Sequence, residues 1–442
     1  MRSIRLNILT RIVILGLLGL TTTEARAAEP SSPVDPFDEL SLARGLWQRS
    51  AELAAGREQL IEADANRRRA YLLPNPTLNG SWSTVPVGRR NPPEIGFWQV
   101  PNYNVQIAEL LEIGKRGPRQ RAAEAATMRA RHELADIYRQ AFFTILEMLA
   151  DQAEAVIRGA VLQRLVGDSA EGLRLQRARA QRGDVAGLDV DRLEVEHLRL
   201  QSSVAEAASV REAAIARCTQ LLGLPCPRFG NDEQAQRFLS QADLAPPTPQ
   251  ALDQRPDIQA LGARVAQANA EHVLAARQKI PDPTLSLGYQ RDQFVASGNQ
   301  GNSVNVAVSI PLPVFDHGQV AAARADKARE LATSTRQTLL ANAAAMVDLA
   351  RKRIVLLMQR AGTLDGEAIP RARGVFERME AAARRGGAAL QDVLLARRAL
   401  EELQLDRVTI AAERFRVIVD GRRAAGLLPP VPTNTADPTT VP

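Results

Sequence analysis

The residue types that do chemistry are sparse in this chain, and their spacing suits little. The four histidines, His132, His197, His272 and His317, are scattered. No pair has the H-x-x-x-H step that sets two imidazoles on one helix face for a metal. No nucleophile–base arrangement, Gly-rich phosphate loop or pair of catalytic acids can be assembled. The expectation is therefore no enzyme, no metal site and no cofactor. The two cysteines, Cys218 and Cys226, flank Leu221-Leu222-Gly223-Leu224-Pro225. That spacing permits a disulfide in an oxidising compartment and does not require one.

What carries these residues is mainly helix. The chain has 442 residues, 45% of them hydrophobic and only 4% aromatic. Ala, Leu, Arg, Glu and Gln dominate, and these favour long helices. After the first 20 residues no apolar run approaches the ~18 needed for a membrane-spanning helix. A multi-span helical transporter is excluded on that ground. At the N-terminus, Arg2, Arg5 and Arg11 accompany the apolar run Ile12 to Leu20, and Ala25-Arg26-Ala27 offers a small-x-small cleavage site. Residues 1–27 read as a secretory signal peptide. They hold four Arg and one Glu, about half of the formal net charge of +6. The basic excess is thus no argument for nucleic acid as a partner.

The chain repeats itself. Leu72-Leu73-Pro74-Asn75-Pro76-Thr77-Leu78 recurs as Lys279-Ile280-Pro281-Asp282-Pro283-Thr284-Leu285. Asn104-Val105 recurs as Asn305-Val306, and Gly223-Leu224 as Gly426-Leu427. Arg182-Gly183, Ala186 and Asp189-Val190 recur as Arg385-Gly386, Ala389 and Asp392-Val393. The order is kept at an offset near 203 residues. The division that follows is 1–27 signal, 28–227 first repeat, 228–428 second repeat and 429–442 disordered tail. Each repeat reads helix, strand, loop, strand, long helix, Gly turn, helix. The β-hairpins fall at about 76–110 and 283–311.

The second hairpin has the clearer pattern. Val304, Val306, Val308 and Ile310 alternate with Asn305, Ala307 and Ser309, so one face is apolar and the other small and polar. Leu285, Leu287 and Tyr289 share one face of the partner strand. Long helical stretches follow each hairpin, at 118–182 and 319–385, with Pro370 as the one internal proline and the expected site of a kink or local irregularity. Val190, Leu193, His197, Leu200, Val204 and Ala207 have coiled-coil spacing. The two shorter helices of a repeat sum to about the length of its long helix, so they are expected to stack end to end along it.

A strand with one apolar and one polar face suits a wall between lipid and water. Trp82 and Trp98 fall in the first hairpin, where an interfacial aromatic girdle would want them, with Tyr289 in the second. Four strands cannot close a barrel, and an open edge is not tolerated in lipid. Two copies would give eight strands and a plugged interior; three would give twelve and a channel.

The signal peptide, the duplicated unit, the Pro-x-Pro-Thr-Leu strand starts and Pro311-Leu312-Pro313-Val314-Phe315-Asp316-His317-Gly318 together resemble the TolC-like outer-membrane efflux proteins. The resemblance spans about 36–428. It implies a mainly α fold with a small β part: a long coiled-coil helical barrel in the periplasm and a shared trimeric transmembrane β-barrel in the outer membrane, four strands per chain. It further implies a passive duct in a tripartite efflux system. The partners would be two further copies, a periplasmic membrane-fusion adaptor, an inner-membrane RND-type or other efflux transporter, and outer-membrane lipid. By the same resemblance Gly183 and Gly386 mark the adaptor-docking tip, and Asp189 and Asp392 line the periplasmic gate. The other reading of these two acids is helix N-terminal residues favoured by the dipole. Leu395 stands where some relatives carry a second acid. The Pro-Leu-Pro-Val-Phe-Asp stretch, with no lipid-bearing Cys after the signal, resembles the CzcC-type heavy-metal branch. Drug or solvent export, type I secretion, and a non-channel periplasmic coiled-coil adaptor are the alternatives.

Overall fold

A computed structural model describes residues 34–85, 87–89, 93–94, 96–99, 101–183, 185–241, 252–292, 301–385, 387–427 and 429. The expected signal peptide, Gly386 and all of the expected tail except Pro429 lie outside the described residues. Asp35 onward forms one unit, and it is this unit that follows.

Two helices, α1 (Glu39–Arg49) and α2 (Ala51–Tyr71), lead into strand β1 (Thr77–Ser83) and strand β2 (Asn102–Leu110). Helix α3 (Arg116–Ala180) runs for 65 residues, ~100 Å of helix. Its one proline, Pro118, sits in the first turn, where the missing N–H had no partner to lose. Helix α4 (Gly187–Leu222) returns, and α5 (Asp232–Ser240) links the halves. The order then recurs: α6 (Pro256–Arg277), β3 (Thr284–Arg291), β4 (Asn302–Ser309), α7 (Gln319–Thr363), α8 (Ile369–Arg384) and α9 (Leu390–Ala424).

The irregularity expected at Pro370 is present. Leu364–Ala368 forms a π turn between α7 and α8, and the Ile369 N–H donates back to the Leu364 carbonyl. Proline has no N–H to give the preceding turn, and the wider turn absorbs that loss without ending the rod.

End-to-end stacking also holds. Along α3, Thr127 on the first half donates to the Ala63 carbonyl of α2, while Leu162 on the second half packs with Leu200 and Ala207 of α4. In the second repeat α6 lies along the start of α7. Further on, Ala350, Leu357 and Leu364 cluster with Ile410 and Val417 of α9. Small buried residues, Ala268 and Ala275 on α6 with Ala325 and Ala332 on α7, let the backbones approach closely.

The repeats join through α3, which packs along α6 and also against α9. Arg416 donates to Asp151 and Glu154 of α3. The fully buried Arg139 donates to Asp136 and, at 2.6 Å, to the Arg423 carbonyl at the end of α9. The internal duplication is visible in one detail. Gly223 (φ +71°) ends α4 so close to Arg49 that a Cβ would lie 2.3 Å from its carbonyl oxygen. Gly426 (φ +78°) ends α9 against Arg255, the corresponding residue before α6, where a Cβ would lie 2.4 Å from the Arg255 side-chain Cγ.

Candidate functional site

The four strands form one antiparallel sheet in the order β1-β2-β3-β4, so β1 and β4 are its edges. The register aligns residues in cross-strand rows, and successive rows alternate faces. One row is Leu78, Ile107, Leu287 and Val306; the next on that face is Gly80, Val105, Tyr289 and Val304. The face continues through Leu285 and Val308, with Ile310 just past the end of β4. Val304, Val306, Val308 and Ile310 are all more than half exposed, as are Leu78 and Leu287. A soluble sheet would cover such a face.

The opposite face carries Thr77, Asn79, Ser81 and Ser83 on β1 and Asn102, Asn104, Gln106 and Ala108 on β2. Thr284, Ser286, Gly288 and Gln290 on β3 and Ser303, Asn305, Ala307 and Ser309 on β4 continue it, with Leu110 of β2 opposite Thr284 at the helix end. No charged residue stands on it among the strand residues. Gly288 is needed there. A Cβ would meet Asn305 Oδ1 at 2.3 Å, Gln106 Cβ at 2.7 Å and the Val105 carbonyl at 3.0 Å.

The aromatic residues gather at the loop end of the apolar face. Trp82 stacks on Trp98 with ring centres 5.6 Å apart and lies 6.0 Å from Tyr103. Trp98 sits in a single 3-10 turn, Phe97–Gln99, with Phe97 edge-on at 5.3 Å. The Tyr289 hydroxyl donates to Asn302 Oδ1 at 2.6 Å. The sequence singled out Trp82, Trp98 and Tyr289; Tyr103 and Phe97 join this group only through the register and the loop. At the other end, where strands meet helices, Leu312, Val314 and Phe315 are exposed, Phe315 by 92%.

At the far end of the long helices, the α3–α4 turn uses Gly183 at φ +80°. Its N–H donates to the Ala180 carbonyl. That left-handed conformation is what a tight helix reversal asks of glycine. Asp189 and Asp392 occupy matching places in the first turns of α4 and α9. Their N–H groups donate to the Ala186 and Ala389 carbonyls at 3.0 and 3.1 Å. Asp189 is 3.6 Å from Arg192. Asp392 is exposed, with no ion-pair partner among the described residues.

Two turns above Asp189 lies a feature absent from the sequence reading. Glu196 of α4 and Glu401 of α9, each 4% exposed, face a cluster of arginines. Arg398 donates to Glu196 at 2.5 Å, and Arg199 spans Glu196 at 2.6 Å and Glu401 at 3.3 Å. Arg397 donates to Glu401 and to the Leu165 carbonyl. Burial raises Glu401 above the ordinary glutamate value, and its arginines only partly offset this. At Glu196 burial pulls the same way, yet the bonds from Arg199 and Arg398 bring it below the ordinary value. His197, expected on the coiled-coil seam, is half-buried beside Gln201 at 3.0 Å; Glu196 holds the deeper position.

Cys218 and Cys226 are disulfide-bonded, Cα to Cα 5.6 Å. Both are buried, and the neighbouring Gln152 holds the Pro227 carbonyl and the Phe229 N–H. No group of three or more metal-ligating side chains is present among the described residues. No helix among them is long and apolar enough to cross a membrane.

Residues 248–415 match the model of the outer membrane efflux protein family. No curated protein matches the sequence. Among solved structures the chain is similar to the Campylobacter jejuni CmeC outer membrane channel, at TM-score 0.71 and 15% identity, covering 91% of this chain and 90% of that one. It is similar to the outer membrane protein VceC of Vibrio cholerae, at TM-score 0.69 and 19% identity, covering 88% and 96%. A crystal structure of CusC described for transmembrane channel formation matches at TM-score 0.70 and 16% identity, covering 88% and 92%. The second repeat thus carries the outer membrane efflux protein signature, in a chain with the fold of TolC-like channels.

Proposed function

We propose that this protein is the outer-membrane duct of a tripartite efflux system. The observation that carries the reading is the sheet itself: an exposed face that is apolar between Glu109 at one end and Arg291 at the other, an uncharged opposite face, and two open edges on β1 and β4. In lipid those edges must be paired. Three copies joined edge to edge give a twelve-stranded barrel with the valine face toward lipid and the Asn, Ser, Thr and Gln face toward water. Trp82, Trp98 and Tyr289 sit at the outer interface. The helices continue into the periplasm as a second tube.

The tip glycines Gly183 and Gly386 dock the periplasmic adaptor, which links the duct to an inner-membrane transporter. Asp189 and Asp392 face the axis at the constricted end. Three copies of each concentrate negative charge there and favour cations. The cargo is heavy-metal cations, a reading supported by the Pro311 to Gly318 stretch.

Planar-bilayer recording tests the duct, with steady conductance expected. A protein that stays soluble and makes no pore refutes it. Asp392→Ala should reduce cation preference; an unaltered reversal potential removes Asp392 from the axis. Deleting the gene and growing the cells on metals and on drugs tests the cargo. Sensitivity to drugs alone refutes metal export.

A further inference from the structure

The apolar face of the sheet ends in a row of different chemistry. Trp82, Tyr103, Arg291 and Asn302 lie opposite one another across all four strands, in the next row on this face after Gly80, Val105, Tyr289 and Val304. Arg291 therefore shares its face with Leu285, Leu287 and Tyr289, and it is exposed. Among the described residues no carboxylate pairs with it, since the neighbouring Asp292 accepts from Gln290 on the other face. The one other charge on this face within the strands, Glu109, stands opposite Leu285, six residues and ~20 Å along the strand. The two cannot meet.

A guanidinium at the edge of an apolar wall, with the Tyr103 phenol on one neighbouring strand, Asn302 on the other and the Trp82 indole further along the same row, sits where lipid tails give way to headgroups. Its planar donors match phosphate oxygens, and the aromatic rings hold it at that depth. We infer that Arg291, in the row with Trp82 and Tyr103, is a binding site for an anionic phosphate-monoester headgroup of an outer-leaflet lipid. This rests on the outer-membrane reading above. Each chain contributes one such site, evenly spaced around a closed barrel.

The test uses the full-length protein in phosphatidylcholine vesicles, with and without diphosphorylated lipid A. Insertion and conductance in phosphatidylcholine alone report on the channel reading; without them both readings fall. Native mass spectrometry after detergent extraction counts retained lipid A. Arg291→Gln should weaken retention about fivefold per site, the effect of one basic residue at an anionic surface. Arg291→Lys should keep most of it. Wild-type protein offered fully dephosphorylated lipid A should retain no more than it does of phosphatidylcholine, a contrast that needs no variant. If Arg291→Gln inserts, conducts and retains lipid A as the wild type does, the site is refuted. Equal retention of the phosphorylated and dephosphorylated lipids by the wild type refutes it as well.

Discussion

Gly288 is the position at which the sheet is least tolerant. A methyl group there would sit 2.3 Å from Asn305 Oδ1, 2.7 Å from Gln106 Cβ and 3.0 Å from the Val105 carbonyl. Carbon contacts relax to ~3.5–4.0 Å, so about 1 Å must be found. The Asn305 amide can rotate away. Gln106 Cβ and the Val105 carbonyl belong to the neighbouring strand and move only with it. Separating strands held ~4.8 Å apart weakens the β2–β3 ladder. Overpacking of this kind costs about 1–3 kcal/mol in Gly288→Ala. Gly80 is the internal control. It lies on the other face with nothing within 4 Å of its would-be Cβ, so Gly80→Ala should stay within ~0.5 kcal/mol of wild type. Urea unfolding in detergent, followed by tryptophan fluorescence, reads the hairpin through Trp82 and Trp98. Adding Asn305→Ala to Gly288→Ala should recover only part of the loss, because the Gln106 contact remains. Equal midpoints for Gly288→Ala and Gly80→Ala would refute the packing argument, and full recovery in the double variant would refute the role of the strand backbone.

The Cys218–Cys226 bond closes a short loop, and loop-closure entropy values it at about 2.5 kcal/mol. Unreduced protein should take up no thiol reagent in mass spectrometry, and the double alanine variant should unfold at lower urea. Arg139 is fully buried among Asp136, Asp257 and the end of α9. Arg139→Leu leaves carboxylates and a carbonyl without their donor and should cost about 3–5 kcal/mol, seen as loss of folded protein in membrane fractions. The buried acids respond oppositely to pH. Glu401 is raised by burial, so its ionised form costs stability above that raised value, and the cost disappears as pH falls toward the ordinary value of 4.5. Glu196 is lowered overall, so the stability it contributes is present above 4.5 and is lost as pH falls through its depressed value. Glu401→Gln should therefore be more stable than wild type at neutral pH, with the gap narrowing toward pH 4.5; a gap that widens on acidification refutes this assignment.

Much of the architecture was legible in the residues because it rests on local periodicity. Alternation in Val304 to Ile310 marked a two-faced strand, since side chains on an extended chain point to opposite sides in turn. Pro370 announced an irregularity, since proline removes an N–H wherever it falls. The repeated Gly183 and Gly386 neighbourhoods marked reversals of the helices; Gly183 is seen in the left-handed conformation, while Gly386 lies outside the described residues. The disulfide stayed open in the sequence because spacing allows a bond without bringing two sulfurs together; the tight end of α4 at Gly223 does that. The paired Glu196 and Glu401 left no signal, because a glutamate on a charged helix reads as solvated until a second helix covers it.

The same holds for the row of Trp82, Tyr103, Arg291 and Asn302. Those residues come from four strands as much as 220 positions apart in the chain. Sequence alone determined which faces are apolar, where the chain turns and that the unit is duplicated, because each depends on neighbours a few residues away. Only the tertiary structure decided which residues share a row, which acids are buried and which glycine cannot bear a side chain. Those properties depend on register and on helix-to-helix contact, and no local pattern records either.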